Sequence, residues 1–224
     1  MPDALPRRTF LSLTALGAAA SFLPRTLLAA APAAATGLEP FKVRSFPLTA
    51  VRLRPGEALT ALQINRGYLM GLDPERLLHM FRVTAGLPSS AAPLGGWEAP
   101  DNELRGHFTG HYLSACALLA AHTGDAAVRA RGTAVAAELG RCQSAIGTGY
   151  LSAFPVDLFD RLRTGERAWA PFYTLHKIMA GLLDTATLSD DPNCLNTLTR
   201  MAAWVERWTQ PLDEEAMARV LERE

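Results

Sequence analysis

A loop rich in glycine and polar side chains, residues 94–114, carries most of the chemically useful groups of this sequence. Within it, Trp97 and Glu98 are followed by two histidines, His107 and His111. An aromatic face that packs on a sugar ring, with polar groups that bind its hydroxyls, is typical of a carbohydrate pocket. The alternative is a hydrated loop between helices in which Trp97 anchors the core, because tryptophan is usually buried.

The spacing of the two histidines permits a metal site without favouring one. His107 and His111 stand four residues apart, which on one continuous helix would place both rings on the same side. Gly106 and Gly110 argue against a continuous helix here, and no glutamate stands between the histidines as the zinc-protease motif requires. We therefore assign no metal ligand to this pair.

Acid–base cleavage of a glycoside requires carboxyl groups that face one bond. Glu98, Asp101 and Glu103 are candidates by location, but their spacing does not decide among them, and we assign no catalytic residue. A further candidate is His176, at the start of a helix that follows Pro171, where a ring nitrogen can donate to a sugar hydroxyl. The alternative is a core histidine that is bonded to a backbone carbonyl.

The elements that position these groups are predicted to be helices, because apolar residues recur with helical spacing. The helical patterns span residues 56–72, 109–121, 126–144, 171–183 and 193–208, with another helix after Asp73-Pro74 and a last one after Pro211-Leu212-Asp213. Residues 36–56 are predicted to be extended or to hold a short strand, and residues 150–170 to form a long loop. The fold class is therefore all-α, in antiparallel helix pairs.

The loops between these helices alternate in length. Residues 86–106 and 145–170 are long and hold glycine, aromatic and acidic residues, whereas residues 123–125 and 189–192 are minimal turns. If the hairpins stack side by side, as in helical toroids, the long loops collect at one end and line a common cavity. About seven helices are too few for a closed double ring, and the last helix lacks a stop signal. We therefore expect a truncated part of a longer protein.

Charge and cysteine content exclude some classes of function. The chain has 224 residues with 22 basic and 22 acidic side chains, so its balanced charge does not favour nucleic acid or an anionic membrane as partner. This composition is compatible with small neutral ligands. Cys116, Cys142 and Cys194 are odd in number and lack metal-ligand spacing, so neither a disulfide framework nor a cysteine metal site is predicted.

Residues 1–35 have the composition of an export signal. Arg7-Arg8-Thr9-Phe10-Leu11 precedes an apolar run and an alanine-rich stretch, which is typical of twin-arginine translocation. The alternative, a membrane anchor, would need a longer apolar stretch. Removing the signal leaves residues 36–224 with 19 basic and 21 acidic side chains. We predict a periplasmic or secreted protein without stable membrane association after signal removal.

Several ordered blocks resemble the N-terminal part of the β-L-arabinofuranosidase-like glycoside hydrolases, family 127. The blocks are Gly95-Gly96-Trp97-Glu98, residues 106–115, Cys142-Gln143 with Gly149-Tyr150-Leu151, Tyr173-Thr174-Leu175-His176-Lys177-Ile178, and residues 181–184. The resemblance covers about residues 42–224. It implies an (α/α)6 barrel catalytic domain, here an incomplete one, followed by β-sandwich domains, acting on terminal β-L-arabinofuranosyl groups of plant glycans.

The resemblance also implies which residues bind sugar and which do not catalyse. Characterised members use a zinc-bound cysteine as nucleophile and a glutamate as acid/base, both in blocks beyond residue 224. The cysteines of this chain do not match that cluster, so zinc is implied for the family with no ligand here. His176 corresponds to a substrate-contacting histidine, and Trp97, Glu98, His111 and Tyr150 are weaker candidates. The alternative function is a non-catalytic helical carbohydrate-binding or scaffold protein.

Overall fold

The computed structural model describes residues 46–224. Within these residues every regular element is an α-helix or a 3-10 turn, and there is no strand. Short 3-10 turns lie at Leu48–Ala50 and Gly96–Glu98. The α-helices are α1 (Glu57–Gly71), α2 (Pro74–Thr84), α3 (His107–Thr123), α4 (Ala126–Ile146), α5 (Asp157–Thr164), α6 (Pro171–Ser189), α7 (Pro192–Thr209) and α8 (Glu214–Leu221). The predicted all-α class is confirmed. The short strand expected in residues 36–56 is absent from the described residues 46–56.

Four helices begin at an aspartate whose carboxylate accepts hydrogen bonds from the first turn. Asp73, Asp125, Asp191 and Asp213 precede α2, α4, α7 and α8 respectively. Each carboxylate pairs with a backbone N–H that has no partner inside the helix, and its negative charge also favours the positive end of the helix dipole. The local sequence therefore sets these starts, and the predicted restart at Asp73-Pro74 is confirmed.

Two helices differ from the sequence prediction. Helix α3 begins at His107 and continues through Gly110, so the expectation that glycine interrupts it is wrong. Helix α5 lies inside the segment that was expected to be a loop, residues 150–170. It has no side-chain cap, but Leu158, Phe159 and Leu162 are all buried, so packing stabilises it where local signals are weak.

The helices pack as two hairpins in contact. A short turn joins α3 to α4 and another joins α6 to α7, so both pairs are antiparallel. The closest packing is between α3 and α6, and α4 also contacts α7. Gly110 and Gly181 lie at the crossing of α3 and α6, where a Cβ atom on either would approach the backbone of the other helix closer than 3.0 Å. These packed hairpins confirm the helical toroid that the sequence predicted.

An aromatic cluster joins α5 to the two hairpins. Phe159 is fully buried, and the rings of Tyr150, Trp204, Trp208 and Phe172 lie within 6.2 Å of it, centroid to centroid. Most of these pairs are edge-to-face, the arrangement that suits the charge distribution of aromatic rings. The cluster holds the loop around Tyr150 and the first turn of α6 against a common core.

The residues that follow the last helix contact the segment that leads into α6. Helix α8 ends at Leu221, and the following residues turn back toward the start of α6. The N–H of Ala168 donates to the carbonyl oxygen of Arg223 at 3.2 Å. The N–H of Tyr173 donates to Glu224 Oε1 at 2.9 Å.

The Asp125 cap of α4 makes the free energy of unfolding depend on pH in the acidic range. Asp125 accepts from the N–H groups of Ala127 and Val128 at 3.0 and 3.1 Å and pairs with Arg66. The Arg66 guanidinium, and then the helix N–H groups, lower the pKa of Asp125. A lowered carboxyl pKa contributes stability that is present above the unfolded pKa and is lost as pH falls through the folded one.

We expect Asp125→Ala to lower the free energy of unfolding by about 1 kcal/mol at neutral pH, because the cap is lost. The deficit relative to the natural chain should shrink as pH falls below about 4, where the carboxylate becomes protonated. Urea titrations at several pH values measure both. Asp125→Asn is the control, since its side chain still caps but does not titrate. A deficit that is independent of pH for Asp125→Ala would contradict this role.

Candidate functional site

Five aromatic and imidazole rings form a connected cluster at the surface, which we call the ring cluster: Trp97, His107, His111, Trp169 and Tyr173. The Trp97 ring lies 6.3 Å from His107 and 6.5 Å from Trp169, centroid to centroid. His107 in turn lies 5.9 Å from His111 and 6.2 Å from Tyr173. Trp97 is 65% exposed, and Trp169 and Tyr173 are also more than one-third exposed. Exposed aromatic faces beside hydrogen-bonding rings suit a sugar.

Three parts of the chain supply these rings. Trp97 lies on the 3-10 turn Gly96–Glu98, whereas His107 and His111 are one helical turn apart at the start of α3. Tyr173 is in the first turn of α6, and Trp169 lies in the loop just before it. The close packing of α3 on α6 brings these parts together. The two long loops, residues 86–106 and 145–170, meet at the Trp97–Trp169 contact, and the common cavity that they were expected to line stays a prediction.

The carboxylate of Glu98 is engaged by the start of α3. It accepts from the N–H groups of Gly106 at 2.6 Å and Phe108 at 3.0 Å. Its Oε1 atom also lies 2.6 Å from Nδ1 of His107, and both side chains are largely buried. Gly106 has a φ of 100°, a conformation that glycine adopts readily, and this lets the chain turn tightly into the helix. Glu98 therefore caps α3 and holds the ring of His107.

The surroundings shift the pKa values of the two histidines in opposite directions. The hydrogen bond and the charge of Glu98 outweigh burial and raise the pKa of His107. Burial, and then the positive charges of Lys177 and His107, lower the pKa of His111. The Lys177 ammonium lies 4.8 Å from the centre of the Tyr173 ring, on α6. The cluster therefore holds one imidazole, His107, that binds its second proton more readily than a free histidine, and one, His111, that binds it less readily.

Glu103 positions the second exposed tryptophan. Its carboxylate pairs with Arg161 and accepts from the backbone N–H of Trp169 at 2.6 Å. Burial alone would raise the pKa of Glu103, but these two donors lower it. Asp101, the remaining carboxyl candidate, is exposed and makes no hydrogen bond within residues 46–224. Glu98 and Glu103 both accept hydrogen bonds from the backbone, so we name no acid/base among the three acids.

The structure separates the five residues that the sequence singled out. Trp97 and His111 belong to the ring cluster, and Glu98 lies directly beneath it. His176 is exposed on α6, one turn after Tyr173, and lines an apolar groove of about 560 Å³ between α6 and α7. Tyr150 is buried, and its hydroxyl donates to the carbonyl oxygen of Phe154 at 2.8 Å, so it belongs to the aromatic core. A role for Tyr150 in sugar binding stays a prediction, and its side chain is almost fully buried.

Three members of the ring cluster were not among the predicted sugar-binding residues: His107, Trp169 and Tyr173. The sequence offered a signal for each. Trp169 stands in a polar loop just before a helix that begins with proline, and Tyr173 stands in the same block as His176. His107 was placed by the sequence in the pocket-forming loop and weighed as a metal ligand, but it was not singled out as a sugar-binding residue. Their proximity depends on the α3–α6 contact, which the sequence pattern does not encode.

The described residues do not fit the zinc that the family resemblance implies. No group of three or more histidine, cysteine, aspartate or glutamate side chains within residues 46–224 could hold a metal ion. Cys116, Cys142 and Cys194 are free and buried. Burial raises the pKa of all three thiols, to about 11 for Cys142 and about 12 for Cys194. A thiol that resists ionisation is a poor nucleophile and a poor metal ligand.

The predicted export signal, residues 1–35, lies outside the described residues. Of the helices in residues 46–224, none has the length and apolar character needed to cross a bilayer.

Comparison with known proteins agrees with the resemblance seen in the sequence. The family model for "Beta-L-arabinofuranosidase, GH127 catalytic domain" matches residues 50–224, which is most of the chain and all of the ring cluster. Among curated proteins, none matches the chain. The family match, the all-helical fold and the exposed rings are in agreement: this chain belongs to the GH127 β-L-arabinofuranosidase catalytic-domain family.

Proposed function

We propose that the ring cluster binds the terminal β-L-arabinofuranosyl residue of a plant glycan as part of a glycoside hydrolase. Membership of the family indicates a glycoside hydrolase-like protein with a carbohydrate substrate. The observation that carries the finer proposal is the ring cluster itself. Its exposed aromatic rings, Trp97, Trp169 and Tyr173, surround two histidines whose pKa values are shifted in opposite directions. A furanose presents small apolar C–H patches to such rings and hydroxyl groups to the imidazoles.

Within this proposal, the described residues bind the sugar and the cleavage chemistry resides elsewhere. Glu98 and Glu103 are occupied as structural acceptors, and the three cysteine thiols are buried with raised pKa values. We therefore propose that the nucleophile, the acid/base and the ligands of any zinc lie outside residues 46–224. We also propose export by the twin-arginine route to the periplasm or beyond, which places the protein where plant glycans are encountered.

We expect Trp97→Ala to weaken binding of methyl β-L-arabinofuranoside about tenfold, because a stacked aromatic ring contributes about 1 kcal/mol or more. Titration calorimetry of the complete chain measures the affinity. Tryptophan fluorescence gives a second measurement, since Trp97 and Trp169 are exposed whereas Trp204 and Trp208 are buried. Bound sugar should protect the exposed pair from a soluble quencher.

Trp97→Phe is the matched control for this prediction, because it keeps an aromatic face at the same place and should retain most of the affinity. Equal affinities for Trp97→Ala and the natural chain would contradict a sugar site at the ring cluster. Saturable binding of arabinofuranosides by the natural chain, weakened in Trp97→Ala, would support it.

A second function is a sugar-binding protein without turnover. The observation that favours it is the absence, within residues 46–224, of a metal-holding group and of an accessible thiol. An assay of arabinose release, run beside the calorimetry on the complete product of the natural gene, separates the two functions. Binding with release supports hydrolysis, and binding without release supports a role in recognition alone.

A further inference from the structure

The ring of His107 is held from one side only. Its Nδ1 atom faces two oxygens, Glu98 Oε1 at 2.6 Å and the carbonyl oxygen of Leu104 at 3.0 Å. The contact with Glu98 is the shorter of the two, and the contact with the Leu104 carbonyl has hydrogen-bond geometry. Both oxygens are hydrogen-bond acceptors. Nδ1 must therefore carry a proton whether the ring is neutral or charged.

The second ring nitrogen of His107 is the free one. Nε2 makes no hydrogen bond within residues 46–224. Unlike the fully buried polar atoms without a partner in this part of the chain, it is not enclosed by protein. It therefore keeps contact with solvent although the residue as a whole is only 9% exposed. The ring is surrounded by Trp97, His111 and Tyr173, so the accessible nitrogen belongs to the ring cluster.

We propose that His107 contacts the sugar through Nε2 and that Glu98 is the positioning residue that sets its orientation and charge. This inference rests on the proposed function, because it assumes that the ring cluster binds a sugar. With Nδ1 occupied, the cationic ring donates from Nε2 to a sugar oxygen, and the neutral ring can only accept there. His111 is then the complementary neutral imidazole, one helical turn away on α3.

The charged groups around His107 come from three elements. Glu98, on the 3-10 turn, favours the cation. Lys177, on α6, opposes it, and His111, on α3 itself, is uncharged near neutral pH because its own pKa is lowered. Tyr173, also on α6, contributes a neutral ring. Glu98 is therefore the group that decides the charge of His107.

The test is the pH dependence of affinity, from about pH 5 to about pH 9, across the range in which histidines titrate. The probe is methyl β-L-arabinofuranoside, and the chains are the natural one, Glu98→Gln, His107→Gln and a control, His122→Gln. His122 lies near the opposite end of α3, with Nδ1 beside the carbonyl oxygen of Leu48. Thermal melts monitored by circular dichroism check that each variant folds.

We expect the natural chain to lose affinity about tenfold as pH rises through the raised pKa of His107, because a donor to the sugar is lost. Glu98→Gln should move this midpoint toward about pH 6.5, the ordinary value for histidine. His107→Gln should remove the pH dependence and bind about tenfold more weakly at low pH. His122→Gln should behave as the natural chain. A purely structural role for Glu98 would lower affinity at all pH values without moving the midpoint.

Nuclear magnetic resonance of the imidazole nitrogens gives a readout that does not depend on sugar. The neutral form of His107 should carry its proton on Nδ1, and Glu98→Gln should lower its pKa. If Glu98→Gln fails to fold because the cap of α3 is lost, His107→Gln still tests the contact. Sugar binding by the natural chain with an unchanged pH profile in His107→Gln would overturn this inference alone. No binding at any pH would overturn the proposed function and this inference with it.

Discussion

Replacing Gly110 by alanine is expected to lower the free energy of unfolding by about 3 kcal/mol or more, at the upper end of what overpacking usually costs. At Gly110 an added Cβ would approach the carbonyl group of Lys177 and the N–H of Ile178 closer than 3.0 Å. These are backbone atoms of another helix, so no side chain can move aside. Helices α3 and α6 would have to separate along their contact, and the packing of Leu113 and Ile178 in the core would be lost with it.

Gly67→Ala is the matched control. Gly67 lies inside α1, and an added Cβ there meets no atom within 4 Å. Alanine should stabilise this helix by about 0.5–1 kcal/mol, because glycine has the greater conformational entropy to lose. Urea unfolding followed by circular dichroism measures both variants. A stability of Gly110→Ala within 1 kcal/mol of the natural chain would contradict the close crossing described here.

The same crossing supports the sugar site. It brings the first two turns of α3, with His107 and His111, beside the first two turns of α6, with Tyr173 and Lys177. A Gly110→Ala chain that still folds should therefore bind arabinofuranosides more weakly although it keeps every side chain of the ring cluster. Packing of the two helices, rather than the identity of the rings alone, determines the spacing of the site.

Phe159→Ala is expected to cost about 3–5 kcal/mol, the usual range for removing a buried phenylalanine. Phe159 is 0% exposed, and four aromatic rings from three other segments of the core surround it. Removing the ring leaves a cavity that these large, rigid side chains cannot fill by small shifts. Because α5 has no side-chain cap, the loss should also unfold this helix locally.

Phe46→Ala is the control, because it makes the same change of side chain at an exposed position. Phe46 is 81% exposed, and its removal should change the free energy of unfolding by less than about 0.5 kcal/mol. Urea titration gives the free energies, and hydrogen exchange of the amides in α5 reports the local effect. A loss below about 1 kcal/mol for Phe159→Ala would mean that the aromatic cluster is not the anchor of α5.

Local signals were sufficient for most of the helices. An aspartate followed by proline predicts the start of α2 at Pro74, and the structure shows the Asp73 carboxylate bound to the N–H of Glu75. Such caps act over two or three residues, so they can be read in the chain without knowledge of the fold. Val128, Val135, Leu139 and Cys142 recur in the sequence with helical spacing, and all four are buried on α4.

Helix α5 could not be predicted in this way. Its eight residues are too few to be stable alone, and Val156 before it offers no capping oxygen. The helix forms because Phe159 and its neighbours find an aromatic core built from α6 and α7. That core consists of residues distant in sequence, and local patterns carry no record of it. The path of α3 through Gly110 has the same cause, because glycine there permits the approach of α6.

The amino-acid sequence by itself determined the all-helical class, most helix starts and the family of this chain, since each depends on local patterns or on ordered motifs. It also pointed to Trp97, Glu98 and His111. Only the tertiary structure decided that Trp169 and Tyr173 join these residues, that Glu98 holds His107, and that Tyr150 lies in the core. These residues come from distant segments, and the packing of α3 on α6 sets the distances between them.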